Sequence, residues 1–331
     1  MKILFVFTGG TIGSTQSGNV IFADGSKSYK IIDAYKKRYG IDFEYHVAEP
    51  YSELSENNTG WHIRKLVTCI KENANKGYDG IIVTHGSDTL QYSSAAIGYC
   101  LGVNSLPVCI VAANSPIENE NSNALDNLRS AVCFIERKAG KGAFVVYRNS
   151  NSTAVHIHRA TRIIASKAYS DEVFSVRDMI YGSFDSDFDF CKNLNYFEKD
   201  DEAAPLDVML LNEASREIMM MNVYPAMIYP QISESVKYVI LNTYHSGTLN
   251  TKSQIFFDFV NEASSKNVKI YVTGISDGPQ YSSAEAFETL GLLPLKNISP
   301  ISAYVKLWLI SSMGNDPDTL MQSSLCGDVV M

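Results

Sequence analysis

The N-terminal stretch Met1-Lys-Ile-Leu-Phe-Val-Phe-Thr-Gly-Gly-Thr-Ile-Gly-Ser14 decides the fold class. Its apolar run from Ile3 to Phe7 predicts a buried strand, because a strand covered on both faces needs no polar alternation. The run stops at Thr8-Gly-Gly-Thr11, where two successive glycines allow a sharp turn and a close approach to a ligand. Open α/β sheets bind ligands at the carboxyl ends of their strands, so the Thr11 hydroxyl is a candidate nucleophile. A tight turn or a phosphate loop is the simpler alternative.

A second stretch, Tyr78-Asp-Gly-Ile-Ile-Val-Thr-His-Gly-Ser-Asp-Thr-Leu90, repeats this design with a short apolar strand and a glycine turn. A helix is predicted to follow over residues 90–101. The simplest role of Ser87 or Asp88 is to cap that helix by accepting a hydrogen bond from its first amides. A carboxylate beside two hydroxyls at a strand end is also suited to binding an ammonium group and positioning a water.

Strands and helices alternate along the rest of the chain, which predicts an α/β fold with a mostly parallel sheet flanked by helices. An acidic, turn-rich stretch in the middle is the best linker candidate. We expect a larger N-terminal domain over residues 1–190, a linker over 191–212 and a smaller C-terminal α/β domain over 213–331. Residues 155–162 predict an edge strand with a solvated face and no metal site, because His156 and His158 lack a third ligand at a useful spacing.

Composition excludes several classes of function. The 331 residues are 45% hydrophobic and 19% charged, which is typical of a globular protein. The net charge of -8 argues against a nucleic-acid partner, and no apolar run approaches the roughly 20 residues of a membrane-spanning helix. The N-terminus lacks the pattern of a signal peptide. Six cysteines occur singly, which favours free thiols in the cytoplasm and no structural zinc.

Taken together, Thr8-Gly-Gly-Thr-Ile-Gly13 and His85-Gly-Ser-Asp-Thr89 make the chain resemble the bacterial-type L-asparaginase family, in its cytoplasmic form. The resemblance covers nearly the whole length and includes Tyr244-x-x-Gly247 in the C-terminal part. It implies a two-domain amidohydrolase that uses no metal and no cofactor. It also implies a homodimer or homotetramer with active sites at the subunit contacts.

The resemblance implies specific residue roles. Thr11 matches the nucleophile, while Ser87 and Asp88 match the groups that handle the proton and the substrate ammonium. An ungapped alignment places Glu53 at the serine that holds the substrate carboxylate, and a one-residue gap, which we prefer, places Ser55 there. The predicted substrate-binding residues are Gly10, Ser55, Glu56, Gly86, Ser115 and Tyr244.

The chain departs from the family pattern in three regions, one of which is Ser122-Asn123-Ala124, where the family has Ser-x-Asp-Gly. Arg159-Ala-Thr-Arg162 stands where the family has a proton-relaying lysine, and either arginine can take that position. Arginine keeps its proton near neutral pH, so Arg162 is expected to fix geometry and lower the pKa of Ser87 without moving a proton. The tyrosine expected soon after Gly18 is missing, and the nearest one is Tyr29.

Three functions follow as hypotheses. The first is release of ammonia from L-asparagine or a related small carboxamide through a threonine acyl-enzyme. The second is an asparaginase-fold protein that binds an amino acid without turnover. The third is the amidotransferase subunit that acts on charged tRNA, which is disfavoured because it usually carries an extra N-terminal domain and because this chain is acidic.

Overall fold

An eight-stranded sheet dominates the N-terminal half of the computed structural model, which describes residues 1–10, 14–17, 20–23, 29–167, 169–198 and 205–331. The strands of this half, in chain order, are β1 (Lys2–Phe7), β2 (Ser14–Ser17), β3 (Val20–Ala23), β4 (Glu44–Ala48), β5 (Gly80–Thr84), β6 (Val108–Val111), β7 (Ala143–Tyr147), β8 (Val155–Arg159), β9 (Gly182–Phe184) and β10 (Phe190–Lys192). The strands β2 and β3 pair with each other as a separate antiparallel ribbon. The others form one sheet in the order β10-β9-β8-β7-β6-β5-β1-β4.

Pairing in this sheet changes from parallel to antiparallel after β7. The strands β4, β1, β5, β6 and β7 are parallel, whereas β8, β9 and β10 continue the sheet by antiparallel pairing. The predicted α/β fold is confirmed, and the sheet is mixed. Phe7 at the end of β1 lies opposite Thr84 at the end of β5. The two glycine turns that follow these strands therefore start side by side.

Helices cover both faces of the sheet, as the uninterrupted apolar strands require. The helices of this half are α1 (Lys30–Tyr39), α2 (Gly60–Ala74), α3 (Leu90–Leu101) and α4 (Ala124–Glu136). Successive side chains of a strand point to opposite faces. Accordingly Leu4 and Val6 pack with residues of α2 and α3, while Ile3, Phe5 and Phe7 pack with residues of α1 and α4.

A second sheet of four parallel strands follows in the order of the chain. The elements of this part are β11 (Ile218–Asn222), β12 (Tyr238–Asn242), α5 (Gln254–Ser265), β13 (Lys269–Ile275), α6 (Ser282–Thr289), β14 (Leu293–Lys296), α7 (Pro300–Ser312) and α8 (Pro317–Gln322). Ile240 and Trp308 from this part belong to the same buried cluster as Leu4 and Val6, so the two parts share a core. The division at 1–190, 191–212 and 213–331 stays a prediction. None of the helices in the described ranges has the length and apolar character needed to cross a membrane.

The prediction of an edge strand at residues 155–162 is wrong, because β8 lies between β7 and β9. His158 is only 1% exposed, and its Nδ1 lies 2.8 Å from the Oγ of Ser175. Burial lowers the pKa of His158 to about 3, so its ring is neutral in the folded protein. The Nη2 of Arg159 donates to the Oε2 of Glu198 at 2.6 Å. This ion pair with a residue distant in sequence allows a charged side chain to occupy an interior strand.

Candidate active site

Two glycine turns meet at the carboxyl ends of β1 and β5. Gly9 and Gly10 have φ values of +93° and +77°, a backbone conformation that side chains with a Cβ rarely adopt. A Cβ on Gly10 would lie 2.5 Å from the amide nitrogen of Gly86 and 2.6 Å from its Cα. The backbones of the two turns are therefore in direct contact, and this contact requires glycine at position 10.

Ser55 completes this junction from a third loop, where a short 3₁₀ helix (Ser55–Asn57) begins. A Cβ on Gly86 would lie 2.7 Å from the Cβ of Ser55, so the serine side chain packs directly on the second turn. Ser55 is only 3% exposed, and its Oγ has no hydrogen-bond partner among the described residues. A buried hydroxyl without a partner is costly, which is typical of a group that receives its partner from a ligand.

Glu53 fixes the position of this loop through its backbone. Its amide nitrogen donates to the carbonyl of Thr8 at 3.0 Å, and its carbonyl accepts from the nitrogen of Gly10 at 3.2 Å. Its carboxylate accepts from Asn57 at 3.0 Å and from the amide nitrogen of Leu54 at 3.1 Å. These two bonds lower the pKa of Glu53. The ungapped alignment would put Glu53 in the binding role, but the structure places Ser55 against the second turn.

His85 orients the carbonyl of the second turn. The imidazole is completely buried, and its Nδ1 lies 2.8 Å from the carbonyl oxygen of Gly86. Its Nε2 lies 3.3 Å from the Nδ2 of Asn58. An amide nitrogen donates and a carbonyl accepts, so Nδ1 carries the proton and Nε2 accepts. Burial lowers the pKa of His85, which agrees with a neutral ring that satisfies both neighbours.

The side chains after Gly86 stand at the carboxyl edge of the sheet. Ser87 is half-buried and Asp88 is exposed. Thr89 is the N-cap residue of α3, but its side chain makes no capping bond within the described structure. Its Oγ1 donates instead to the carbonyl of Ser55 at 2.9 Å. Thr89 thus ties the serine loop to the second turn. Thr11, the predicted nucleophile, lies outside the described residues.

A family model described as the N-terminal domain of asparaginase matches residues 2–187. The chain belongs to the asparaginase family. Its members hydrolyse carbon–nitrogen bonds of amides, and this asparaginase-family protein is such a hydrolase.

Curated relatives carry a more specific name. The chain is 25% identical over 293 residues to a glutamyl-tRNA(Gln) amidotransferase subunit of Methanococcus maripaludis, covering 83% of this chain and 68% of the relative. It is 25% identical over 351 residues to the subunit of the same name from Sulfolobus acidocaldarius, covering 99% of this chain and 75% of the relative. That class of protein was disfavoured on the sequence alone, and these relatives make it a candidate again.

Solved structures show the same fold along the whole chain. The thermostable L-asparaginase of Thermococcus kodakarensis superposes with a TM-score of 0.78 at 18% identity, covering 100% of both chains. L-asparaginase I of Vibrio cholerae gives a TM-score of 0.75 at 19% identity, covering 100% of this chain and 99% of that one. The two-part asparaginase-like architecture expected from the sequence is therefore confirmed.

The asparaginase-like junction does not include every predicted site residue. Glu56 is exposed in the serine loop, and Ser115 follows β6 with its Oγ donating to Asn114 at 3.3 Å. Tyr244 lies in the loop after β12 of the second part. There it lines a pocket of about 340 Å³ together with Tyr281 and other residues of that part. The described contacts bring together Gly10, Ser55 and Gly86, and they leave Tyr244 apart.

Arg162 is bound to the C-terminal segment, and its expected role beside Ser87 stays a prediction. Its side chain is completely buried, and its Nε donates to the carbonyl of Gly327 at 2.6 Å. Its Nη2 donates to the carbonyls of Phe197 at 2.9 Å and Val329 at 3.1 Å. None of these described bonds reaches Ser87 or Asp88. Backbone carbonyls of the C-terminal segment and of Phe197 accept these three bonds, so Arg162 anchors that segment. Its Nη1 is buried without a hydrogen-bond partner among the described residues.

Two residues that the sequence analysis did not assign also shape the junction. Asn58 holds the imidazole of His85, and Thr89 holds the carbonyl of Ser55. His85 and Thr89 belong to the turn motif quoted from the sequence, so that motif indicated that both lie near the junction. Asn58 lies in a polar loop that carries no comparable signal, because its bond to His85 spans 27 residues.

Proposed function

We propose that this protein releases ammonia from the side-chain amide of L-asparagine or of a related small carboxamide, with Thr11 as the nucleophile. One observation carries the proposal, namely the junction of two glycine turns with the buried, unpartnered hydroxyl of Ser55. Family membership supplies the class of reaction. The junction provides the hydroxyl of Ser55 as a hydrogen-bond donor. Its closely packed backbone lies beside the glycine turn that Thr11 directly follows in sequence.

The proposed chemistry proceeds in two steps. As the hydroxyl of Thr11 attacks the amide carbon, its proton passes to the oxygen of Ser87 while Ser87 gives its own proton to the departing amide nitrogen, and backbone amides of the glycine turn stabilise the oxyanion. Ammonia leaves, and water then hydrolyses the acyl-enzyme to the free carboxylic acid. Asp88 binds the substrate ammonium, and Ser55 donates to its carboxylate. Arg162 is given no step in this proposal, because its Nε and Nη2 donate to backbone carbonyls and its Nη1 has no partner among the described residues.

The test is a coupled assay of ammonia release with L-asparagine, L-glutamine and D-asparagine on purified protein. We expect turnover of L-asparagine, complete loss in Thr11→Ala, and partial activity in Thr11→Ser, which retains the hydroxyl. Thr11→Ala must keep the wild-type thermal midpoint, so that the loss reports on chemistry and not on folding. Full activity in a folded Thr11→Ala protein would refute the nucleophile assignment. Binding of L-asparagine without ammonia release would favour the alternative of an amino-acid-binding protein.

The amidotransferase relatives support a second candidate, in which the protein supplies ammonia from an amide donor to a partner enzyme. The same assay distinguishes the two. Preference for L-glutamine over L-asparagine in kcat/KM would favour the second candidate. Preference for L-asparagine would favour the first.

We also propose a cytoplasmic homodimer or homotetramer. Tyr244 lies on the second part of the chain, apart from the junction, and a neighbouring copy offers one way to bring that part to it. Light scattering on the purified protein measures the assembly. A monomer that retains full activity would refute a site shared between subunits.

A further inference from the structure

A large cavity lies between the two parts of the chain and adjoins the junction of the glycine turns, with which it shares Asn58 and Thr89. Its volume is about 880 Å³, and we call it the interunit cavity. It is lined by residues of α2, α3 and α7 and by the segment that leads into β11, including Ser93, Ala214, Met220 and Trp308. None of the described lining residues is Gly10, Ser55, Gly86, Ser87, Asp88 or Ser115.

Three lining side chains carry a buried polar atom that has no hydrogen-bond partner among the described residues. They are the Oδ1 of Asn58, the Oγ of Ser93 and the Nε1 of Trp308. Ser93 is 1% exposed and Trp308 is 6% exposed. Each unpaired polar atom costs free energy, so three of them around one cavity indicate a ligand that pairs with them.

The wall beside these atoms is aromatic. The ring centroids of Tyr92 and Tyr304 are 6.0 Å apart, and those of Tyr304 and Trp308 are 5.8 Å apart. Ile218 and Met220 supply aliphatic surface from β11. Such a wall favours a flat apolar body, because aromatic rings pack edge-to-face or offset against planar groups.

The unpaired polar atoms also indicate which head group the ligand carries and that this head group is uncharged. An amide oxygen accepts, an indole nitrogen donates, and a hydroxyl does both, so the head group must offer a donor and an acceptor. The ionised residues of the lining, Glu213 and Arg216, are both exposed. A charged head group would lose its hydration without gaining a buried counter-charge, which is unfavourable. A neutral carboxamide meets these conditions.

We infer that the interunit cavity is a second ligand site, which binds a small uncharged molecule with a flat apolar body and a carboxamide-like head group. This site does not depend on the proposed hydrolysis. Trp308 presents its indole N–H to the head group, and the aromatic row contacts the body. Thr89 and Asn58 separate the site from Ser55 and His85.

The test uses benzamide as the probe and the two tryptophans of the chain as reporters. The protein is labelled with ¹⁵N-tryptophan, and Trp61→Phe assigns the two indole signals. We expect benzamide to shift the Trp308 signal saturably at millimolar concentration and to leave the signal of Trp61 in place. Benzoate has the same ring with a charged head group, so it should bind at least about tenfold more weakly.

Two matched variants locate the binding. Ala214 is exposed at the cavity, so Ala214→Phe should obstruct the cavity and abolish the shift, whereas Ala214→Ser should preserve it. An unchanged thermal midpoint confirms that both variants fold. Absence of a saturable shift, equal binding of benzoate, or a shift that persists in Ala214→Phe would each overturn the inference. Displacement of benzamide by L-aspartate would place the probe at the hydrolytic site and overturn it as well.

Discussion

Ser55→Ala is the sharpest test of the active-site proposal, because it should affect binding and stability in opposite directions. In the free protein the Oγ of Ser55 is buried without a partner among the described residues. In the proposed complex it donates to the substrate carboxylate. Removing the hydroxyl therefore harms only the complex.

The two effects have different sizes. A hydrogen bond to a charged group contributes about 1.5–3 kcal/mol, so KM for the amide substrate should rise about ten- to hundredfold. The substrate carboxylate is remote from the reacting amide, so this bond has equal strength in the ground state and the transition state, and kcat should change little. Loss of an unpaired buried hydroxyl should leave the free energy of unfolding unchanged or raise it by about 1 kcal/mol.

Ser130→Ala is the matched control. Ser130 lies in α4, is completely buried, and also has an Oγ without a partner in the described part of the chain. Its replacement should change the urea unfolding free energy as Ser55→Ala does, with KM unaffected. Ammonia-release kinetics and urea titrations on both variants complete the comparison.

An unchanged KM in Ser55→Ala would refute the assignment of Ser55 to the substrate carboxylate. A loss of unfolding free energy that is absent in Ser130→Ala would show that the hydroxyl has a structural partner. Either result would also remove the observation that carries the proposed function.

Three further predictions concern stability. Gly10→Ala should cost clearly more unfolding free energy in urea than Gly77→Ala, because both have φ of +77° but only at position 10 would the added Cβ lie 2.5 Å from another backbone; equal losses would contradict that close approach. Lys306→Met should cost about 3–5 kcal/mol by the same titration, since it leaves the carboxylate of Asp328 buried without its ion-pair partner; a loss below about 1 kcal/mol would refute this prediction. The pKa of His158 falls from 6.5 to about 3 on folding, so the unfolded chain binds the extra proton and stability falls as pH drops below 6.5. His158→Phe should reduce that slope by about 1.4 kcal/mol per pH unit, and an unchanged slope between about pH 6 and pH 4 would contradict it.

Much of the fold could be predicted because local patterns agree with the observed environment. The apolar runs indicated β1 and β5, and α3 (Leu90–Leu101) matches the helix predicted over residues 90–101. The strand β8 was misjudged because its histidines and arginine suggested solvent. Its burial depends on Glu198, which lies 39 residues after Arg159. Local alternation contains no information about such a distant partner.

In the candidate site too, features set by local sequence could be predicted, and features set by distant partners could not. The glycine turns were predictable, since two successive glycines directly after a buried strand are typical of a sharp turn. Arg162 was not, because position in a motif fixes the backbone and leaves the side chain to compete for partners elsewhere. Here the side chain of Arg162 donates to the carbonyls of Phe197, Gly327 and Val329. A lysine at position 162 would have one nitrogen for these three carbonyls, so Arg162→Lys would weaken the C-terminal anchor without restoring a relay.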